Sequence, residues 1–339
     1  QVYSVLEDRQ NRIWCGTFDG GLCYFDGQRF HWVDTHDPLS NNAITYVFAD
    51  SRGRIWCAGP TLIGYFDGER FHNLFADVRR DCDLRDNFPA TEYFGIAEDA
   101  HGDLFFGGNF RLGLLRYDGA HFHRITPDTQ GESIRFFPVH SDGDNTVWVG
   151  GSHSHLWRIV DGALKAQPLD LANTQSIRKI QGDRQGRIWL CTLGNGAYCL
   201  DGDQLQHFTR ADGLAFDVVN GMLEDREGLL WFATWGGGLS CYDPHSIQRY
   251  KLPKKTSHPT RPSSQTPMGY QFADDLQARA FAIHAGQLID VAATVSDTTH
   301  WYALHEDNQQ HLWLGTEDGL YQYQGDAFVA IAPESGLSD

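Results

Sequence analysis

A unit of about 42 residues recurs along this chain, and that recurrence narrows the available folds more than any other feature. It is plain in VLEDRQNRIWCGTFDGGLCYFDG (5–27), LEDREGLLWFATWGGGLSCYD (223–243) and LHEDNQQHLWLGTEDGLYQY (304–323). Each unit is anchored by a large aromatic: Trp14, Trp56, Phe105, Trp148, Trp189, Trp231 and Trp313. Six residues before the anchors stand Asp8, Asp50, Asp99, Asp142, Asp183, Asp225 and Asp307. Three before them come Gly53, Gly102, Gly186 and Gly228, or else Asn11, Asn145 and Gln310. Two after them is always a small residue: Gly16, Ala58, Gly107, Gly150, Cys191, Ala233 or Gly315.

Each position has a physical reason. An aspartate followed three residues later by Gly or Asn is turn chemistry, because the carboxylate accepts backbone N–H groups and Gly or Asn tolerates a left-handed conformation. The apolar stretch around the aromatic is a strand, with the aromatic and the small residue on one face. A second turn and a strand such as GLCYFDG follow. Its Asp-Gly ending, repeated at Asp67-Gly68, Asp118-Gly119, Asp161-Gly162 and Asp201-Gly202, favours a tight hairpin into a last short strand. Four short antiparallel strands per unit make a propeller blade, so the chain is all-β and 1–339 is expected to be one β-propeller. Helical periodicity is almost absent, which excludes helical solenoids and α/β barrels.

The anchors are spaced by 42, 49, 43, 41, 42 and then 82 residues. Phe272 lies midway in the last gap, and ARAFAIHAGQLIDVA (278–292) resembles the last two strands of a blade. Yet Thr266 stands where the aspartate belongs, and the Pro-rich segment 252–267 is a poor central strand. Seven blades are therefore clear. The atypical segment 244–296 holds either a degenerate eighth blade (about 253–292) or a long insertion.

A formal charge of −17 argues against non-specific binding to nucleic acid or an anionic membrane surface. No apolar run reaches the roughly 18 residues that a bilayer requires, so any membrane attachment is expected through segments outside this chain. The sequence opens inside a repeat and stops at the approach to another (ESGLSD), as expected of a fragment or processed chain. Six of seven cysteines (Cys15, Cys23, Cys57, Cys191, Cys199, Cys241) fall at strand positions. Cys15/Cys23 and Cys191/Cys199 each lie eight apart across a hairpin, which admits a cross-strand disulfide. Buried free thiols are the alternative.

The pattern E-D-x-x-G-x-[IL]-W-x-G-T-x-x-G-G-L-x-x-[YF]-D resembles the two-component regulator propeller repeat, over nearly the whole chain except about 244–296. Blade 4, with SHSHLW, and blade 2, with GPTLIG, depart from it. The resemblance implies the sensor region of a hybrid histidine kinase or related bacterial receptor, in the periplasm or otherwise outside the cytoplasm, and in some such receptors a glycan fragment as ligand. The repeats are more distantly similar to those of streptogramin-type lyases, which would imply a His/Glu pair and a divalent ion in the channel.

The seven aspartates read as scaffold, since their regularity argues for a shared turn role. Function in a propeller lies where the repeat is broken, on the loops at one end of the channel: the turn after each anchor strand and the connections between blades. The anchor-strand turns offer Phe18, Asp19, Phe110, Arg111, His153, His155, Asn195, Trp235 and Glu317. Trp235, beside Gly236 to Gly238, is suited to stack on a sugar or peptide side chain, with packing on a neighbouring blade as the alternative. The connection 73–93 carries Arg79, Arg80 and Tyr93, suited to an acidic ligand or merely solvated, and Trp301 completes the set of candidate ligand contacts. His153 and His155 would share one face of an extended stretch, two metal ligands at most.

No P-loop, Cys-x-x-Cys, nucleophile elbow or dinucleotide fingerprint appears, so no catalytic residue, metal site or cofactor is assigned. The leading expectation is a non-enzymatic ligand-sensing domain whose ligand is a small molecule or oligosaccharide. A protein-docking module comes second and a metal-dependent lyase third.

Overall fold

In the computed structural model of the chain, the described residues are 2–17, 20–34, 43–60, 62–82, 93–108, 113–125, 136–142, 146–151, 155–160, 162–169, 171, 176–224, 228–234, 238–243, 246–250, 281–284, 287–290, 301–309, 311–316, 319–325 and 327–331. They form a seven-bladed propeller. Each blade is a four-stranded antiparallel sheet whose strands follow one another in chain order: 2–33, 46–73, 93–125, 136–166, 177–208, 219–250 and 301–330. One short helix, Phe75–Asp81, follows blade 2. Of the stretch read as an eighth blade or an insertion, only the hairpin Phe281–His284 with Gln287–Asp290 is described, where two final blade strands are expected.

The first strands of successive blades lie beside each other, which makes them the innermost layer around the axis. Second strands such as Ile13–Thr17 and Ile188–Thr192 are buried throughout. Fourth strands such as Phe122–Ile125 and Gln204–Phe208 alternate toward solvent at the rim. The core is thus a series of clusters between neighbouring blades. Trp14 with Ile44 and Val47 joins blades 1 and 2, and Trp189 with Leu214 and Phe232 joins blades 5 and 6.

The aspartate six before each anchor explains the turn it occupies. In blade 2, Asp50 Oδ1 accepts the backbone N–H groups of Arg52 and Arg54 at 3.0 and 2.8 Å. Its Oδ2 accepts Arg54 Nε at 2.6 Å and the indole Nε1–H of Trp56 at 2.8 Å. The Arg54 guanidinium lies over the Trp56 and Tyr65 rings, 5.1 and 4.8 Å from their centroids. The indole bond recurs from Trp14 to Asp8, Trp148 to Asp142, Trp189 to Asp183 and Trp313 to Asp307, at 2.6 to 2.8 Å. In blade 3, where the anchor is Phe105, Asp99 keeps the backbone bonds to His101 and Asp103, and its Oδ2 lies 3.7 Å from His101 Nδ1. In blades 1, 2, 3, 5 and 6 the residue three before the anchor takes positive φ, from 59° at Asn11 to 83° at Gly102 and Gly228, as the turn requires.

The ring closes by repeating an interblade contact. Glu98 Oε2 of blade 3 accepts the Ser51 N–H of blade 2, and Glu224 Oε2 of blade 6 accepts the Arg184 N–H of blade 5. Glu7 Oε2 of blade 1 accepts the Asn308 N–H of blade 7 at 2.6 Å in the same way. Among the described residues no strand is exchanged between blades 1 and 7, and blade 1 packs Val2 and Cys15 with Trp313 and Leu320 as one cluster. Close approach demands small residues here, since a Cβ on Gly315 would stand 2.9 Å from the Val2 carbonyl oxygen.

Blades 4 and 5 use a histidine instead, with His140 Nε2 accepting the Gly182 N–H at 2.8 Å. Burial, then the nearby Lys179, lower the pKa of His140 from its ordinary 6.5, while Asp142 opposes them. His140 is therefore neutral where it must be an acceptor.

Two outcomes are expected. Asp50→Ala, which strands a buried indole N–H and a guanidinium, should cost about 3 kcal/mol in denaturant unfolding. Trp56→Phe should cost only about 1 kcal/mol, because blade 3 already accepts phenylalanine there. A depressed histidine pKa stabilises the fold above about pH 6.5 and loses that contribution on acidification. Unfolding midpoints should consequently fall from about pH 8 to about pH 5. His140→Gln, an uncharged acceptor, should flatten part of that decline, and His305, which burial also lowers, contributes to the rest.

Candidate functional site

With four antiparallel strands per blade, turns 1–2 and 3–4 share one end of the ring, while turn 2–3 and the interblade connections share the other. The first end is repetitive. Beside the anchor-aspartate turns it carries the Asp-Gly turns, and these explain the recurring Phe-His of the outer strand. His31, His72 and His123 hydrogen-bond through Nε2 to Asp26, Asp67 and Asp118 at 2.6, 2.5 and 2.6 Å. The first two also stack on Tyr24 and Tyr65. Backbone N–H donors, then the histidines, hold all three carboxyls well below the usual range. These are structural pairs.

The second end is irregular, and the connection 209–218 between blades 5 and 6 is its best-defined part. Asp212 Oδ2 accepts the backbone N–H and the hydroxyl of Thr209 at 2.9 and 2.8 Å, and these bonds lower the Asp212 pKa. The N–H groups of Asp212, Gly213 and Leu214 converge on the Thr209 carbonyl. Leu214 is fully buried between the blades. Ala215 N–H reaches Ser240 Oγ of blade 6 at 2.8 Å, and Gly196 N–H of blade 5 reaches the Asp217 carbonyl at 2.7 Å. Gly196 cannot be replaced without displacing backbone: its φ is +72°, and a Cβ would lie 2.0 Å from the Phe208 carbonyl oxygen.

This bracing presents one aromatic outward. Phe216 is 38% exposed, and the Arg210 guanidinium lies 5.5 Å from its ring centroid. The Arg210 backbone N–H is held by Asp217 Oδ1 at 2.7 Å. An exposed ring beside a cation offers one flat apolar surface and several N–H donors. Neither residue stands out among the sequence candidates. The signal was an aromatic in a polar connection just after Asp212-Gly213, the same reasoning that picks out Trp235.

The sequence candidates fare unequally. Phe18, Asp19, Phe110, Arg111, His153, Trp235 and Glu317 lie outside the described residues. Tyr93 and Trp301 begin the first strands of blades 3 and 7, paired with Gly108 and Thr316, each beside a register shift at the irregular end. They hold equivalent places in the ring. His155 is half-buried and stacks on Trp157 at 5.1 Å between centroids. Among the described residues no group of three or more His, Cys, Asp or Glu is placed to hold a metal. Asn195 is engaged locally, donating to the Tyr198 hydroxyl at 2.7 Å.

Arg79 and Arg80 require a correction. They belong to the helix Phe75–Asp81 rather than to an open loop. Val78 seals that helix into the core between blades 2 and 3, and Asp81 Oδ2 accepts the N–H of Phe122 on the outer strand of blade 3. Arg80 pairs with Asp77 and Asp81 within the helix. Both arginines therefore stand at the rim, away from the axis. The helix forms because Val78 has an apolar groove to fill.

The two roles within 209–218 are separable. Leu214→Ala should cost about 3 kcal/mol in thermal or denaturant unfolding, and Phe216→Ala should stay within about 0.5 kcal/mol.

Comparison with known proteins follows the architecture. The "Two component regulator propeller" family model matches residues 1–19 and 213–236. No curated protein matches the chain. Among solved structures, streptogramin B lyase is similar with a TM-score of 0.61 at 13% identity, covering 95% of this chain and 92% of that one. The extracellular domain of the putative hybrid two component system BT3049 from B. thetaiotaomicron is similar with a TM-score of 0.56 at 18% identity, covering 99% of this chain and 47% of that one. YCF48 bound to D1 peptide gives 0.52 at 13% identity, covering 87% and 82%. At these identities the likeness is one of fold. The chain spans about half the length of its two-component counterpart.

Proposed function

We propose that this chain, which carries the two-component regulator propeller repeat, is a non-enzymatic ligand-sensing domain of an extracytoplasmic receptor, and that its ligand is a glycan fragment bound on the irregular face. The observation that carries this reading is the asymmetry of the ring. One end repeats the same aspartate turns, while the other breaks the repeat and holds Phe216 with Arg210 outward on a braced connection. A sugar's apolar face suits the ring, and its hydroxyl or carboxylate oxygens suit the guanidinium. By their place in the repeat Trp235, Tyr93 and Trp301 belong to the same end, and the proposal takes them as further ligand contacts on blades 6, 3 and 7. The resemblance to the extracellular domain of a hybrid two-component system supports both the sensor role and the compartment.

A thermal-shift screen against neutral and acidic oligosaccharides, peptides and divalent ions tests it. A glycan at about 100 times its Kd adds roughly 2.7 kcal/mol, a rise of a few degrees for a domain of this size. Phe216→Ala should remove most of that rise while leaving the unliganded midpoint in place, and Trp235→Ala should also reduce the rise. A response to peptides alone would favour protein docking, and a response to divalent ions alone would favour a lyase.

A further inference from the structure

Of the seven cysteines, only one pair is directly opposed. Cys15 on the second strand of blade 1 faces Cys23 on the third. The second pair with the same eight-residue spacing does not meet: Cys191 opposes Ala197, and Cys199 opposes Trp189. The difference lies in distance from the anchor. Cys15 follows Trp14 by one residue, whereas Cys191 follows Trp189 by two, so equal spacing around equal turns gives a facing pair in blade 1 and a diagonal one in blade 5. Cys57 opposes Gly64, and Cys241 opposes Trp231.

The register also fixes how far apart the facing pair stands. Thr17 N–H donates to the Gly21 carbonyl at 3.0 Å, so Thr17 and Gly21 form a hydrogen-bonded pair. Bonded and non-bonded pairs alternate along an antiparallel ladder, which makes Cys15/Cys23, two residues on, a bonded pair with Cα atoms about 5.5 Å apart. That lies inside the range of about 4.4–6.8 Å that a disulfide spans. Both side chains are fully buried in the cluster that seals blade 1 against Trp313 and Leu320 of blade 7.

We infer that Cys15 and Cys23 form a cross-strand disulfide when the chain folds in an oxidising compartment, stapling the blade that closes the ring. The step is thiol–disulfide exchange. The two Cys sulfurs join, and their two electrons and two protons pass to the disulfide of an oxidised dithiol protein or of glutathione, which leaves as two thiols. The bond forms before the blades close. Afterwards neither sulfur is exposed, and the hydrogen-bonded Cys23 thiol together with burial keeps the Cys15 thiol protonated, far above its ordinary range. The oxidising compartment rests on the extracytoplasmic reading above, whereas the facing of the pair rests on the register alone.

The experiment separates these two. The denatured, reduced chain is refolded in a glutathione redox buffer, denatured again and alkylated, then analysed by intact mass and peptide mapping. Two of the seven cysteines should resist alkylation, in a single cross-link joining Cys15 to Cys23. Dithiothreitol should lower the unfolding midpoint by a few degrees. Cys15→Ala and Cys23→Ala, small apolar replacements for buried thiols, should abolish both the cross-link and the effect of reductant. Seven alkylated thiols, or a cross-link elsewhere, would overturn the inference. Native protein alkylated directly from cells provides the second arm. A bond present after refolding but absent in cells would count against the extracytoplasmic reading and leave the pair's chemistry intact.

Discussion

A buried carboxylate with its hydrogen-bonding capacity filled is the interaction from which this propeller is assembled. Asp50 illustrates the logic. One oxygen gathers two backbone N–H groups and so shapes the turn between strands 1 and 2, while the other takes the Trp56 indole and Arg54. The same carboxylate thereby fixes a turn and the orientation of the largest side chain in the core. A buried aspartate is tolerable only because every donor it needs arrives from within six residues of its own chain. That locality makes the blade a repeatable unit: nothing from another blade is needed to satisfy it.

Joining blades into a ring poses a different problem, since the first strands must approach closely at the axis. Small residues allow that approach, and polar links across the seam align neighbours. Glu98 and Glu224 link blades 2 to 3 and 5 to 6, and Glu7 links blade 7 to blade 1 by the same bond. The seam that closes the ring is therefore chemically like the interior seams. Blades 4 and 5 substitute His140, which functions only as a neutral acceptor, so acidification weakens this junction.

One connection at the irregular end is held by this frame. The connection 209–218 is not a loose loop: Leu214 anchors it in the core, and backbone bonds tie it to blades 5 and 6. Phe216 is exposed because its neighbours are held. The helix Phe75–Asp81 shows the opposite outcome for another connection. Val78 drew it against the rim, and the arginines it carries went with it.

The repeat determined the architecture because its information is local. An aspartate, a Gly or Asn three residues on and an aromatic six residues on specify one turn and one strand wherever they occur, and seven copies specify a propeller. The scaffold role of the aspartates and the outer-strand role of the recurring histidines were legible for the same reason. The candidate site was legible only as an end of the ring, because connections such as 209–218 take their shape from tertiary contacts with the blades they join, Ser240 and Gly196 among them. Phe216 and Arg210, the rim position of Arg79 and Arg80, and the facing of Cys15 with Cys23 rather than Cys191 with Cys199 were all decided by tertiary register. A shift of one residue in a strand moves a side chain to the other face of the sheet, and no spacing counted along the chain records which face a neighbour will occupy.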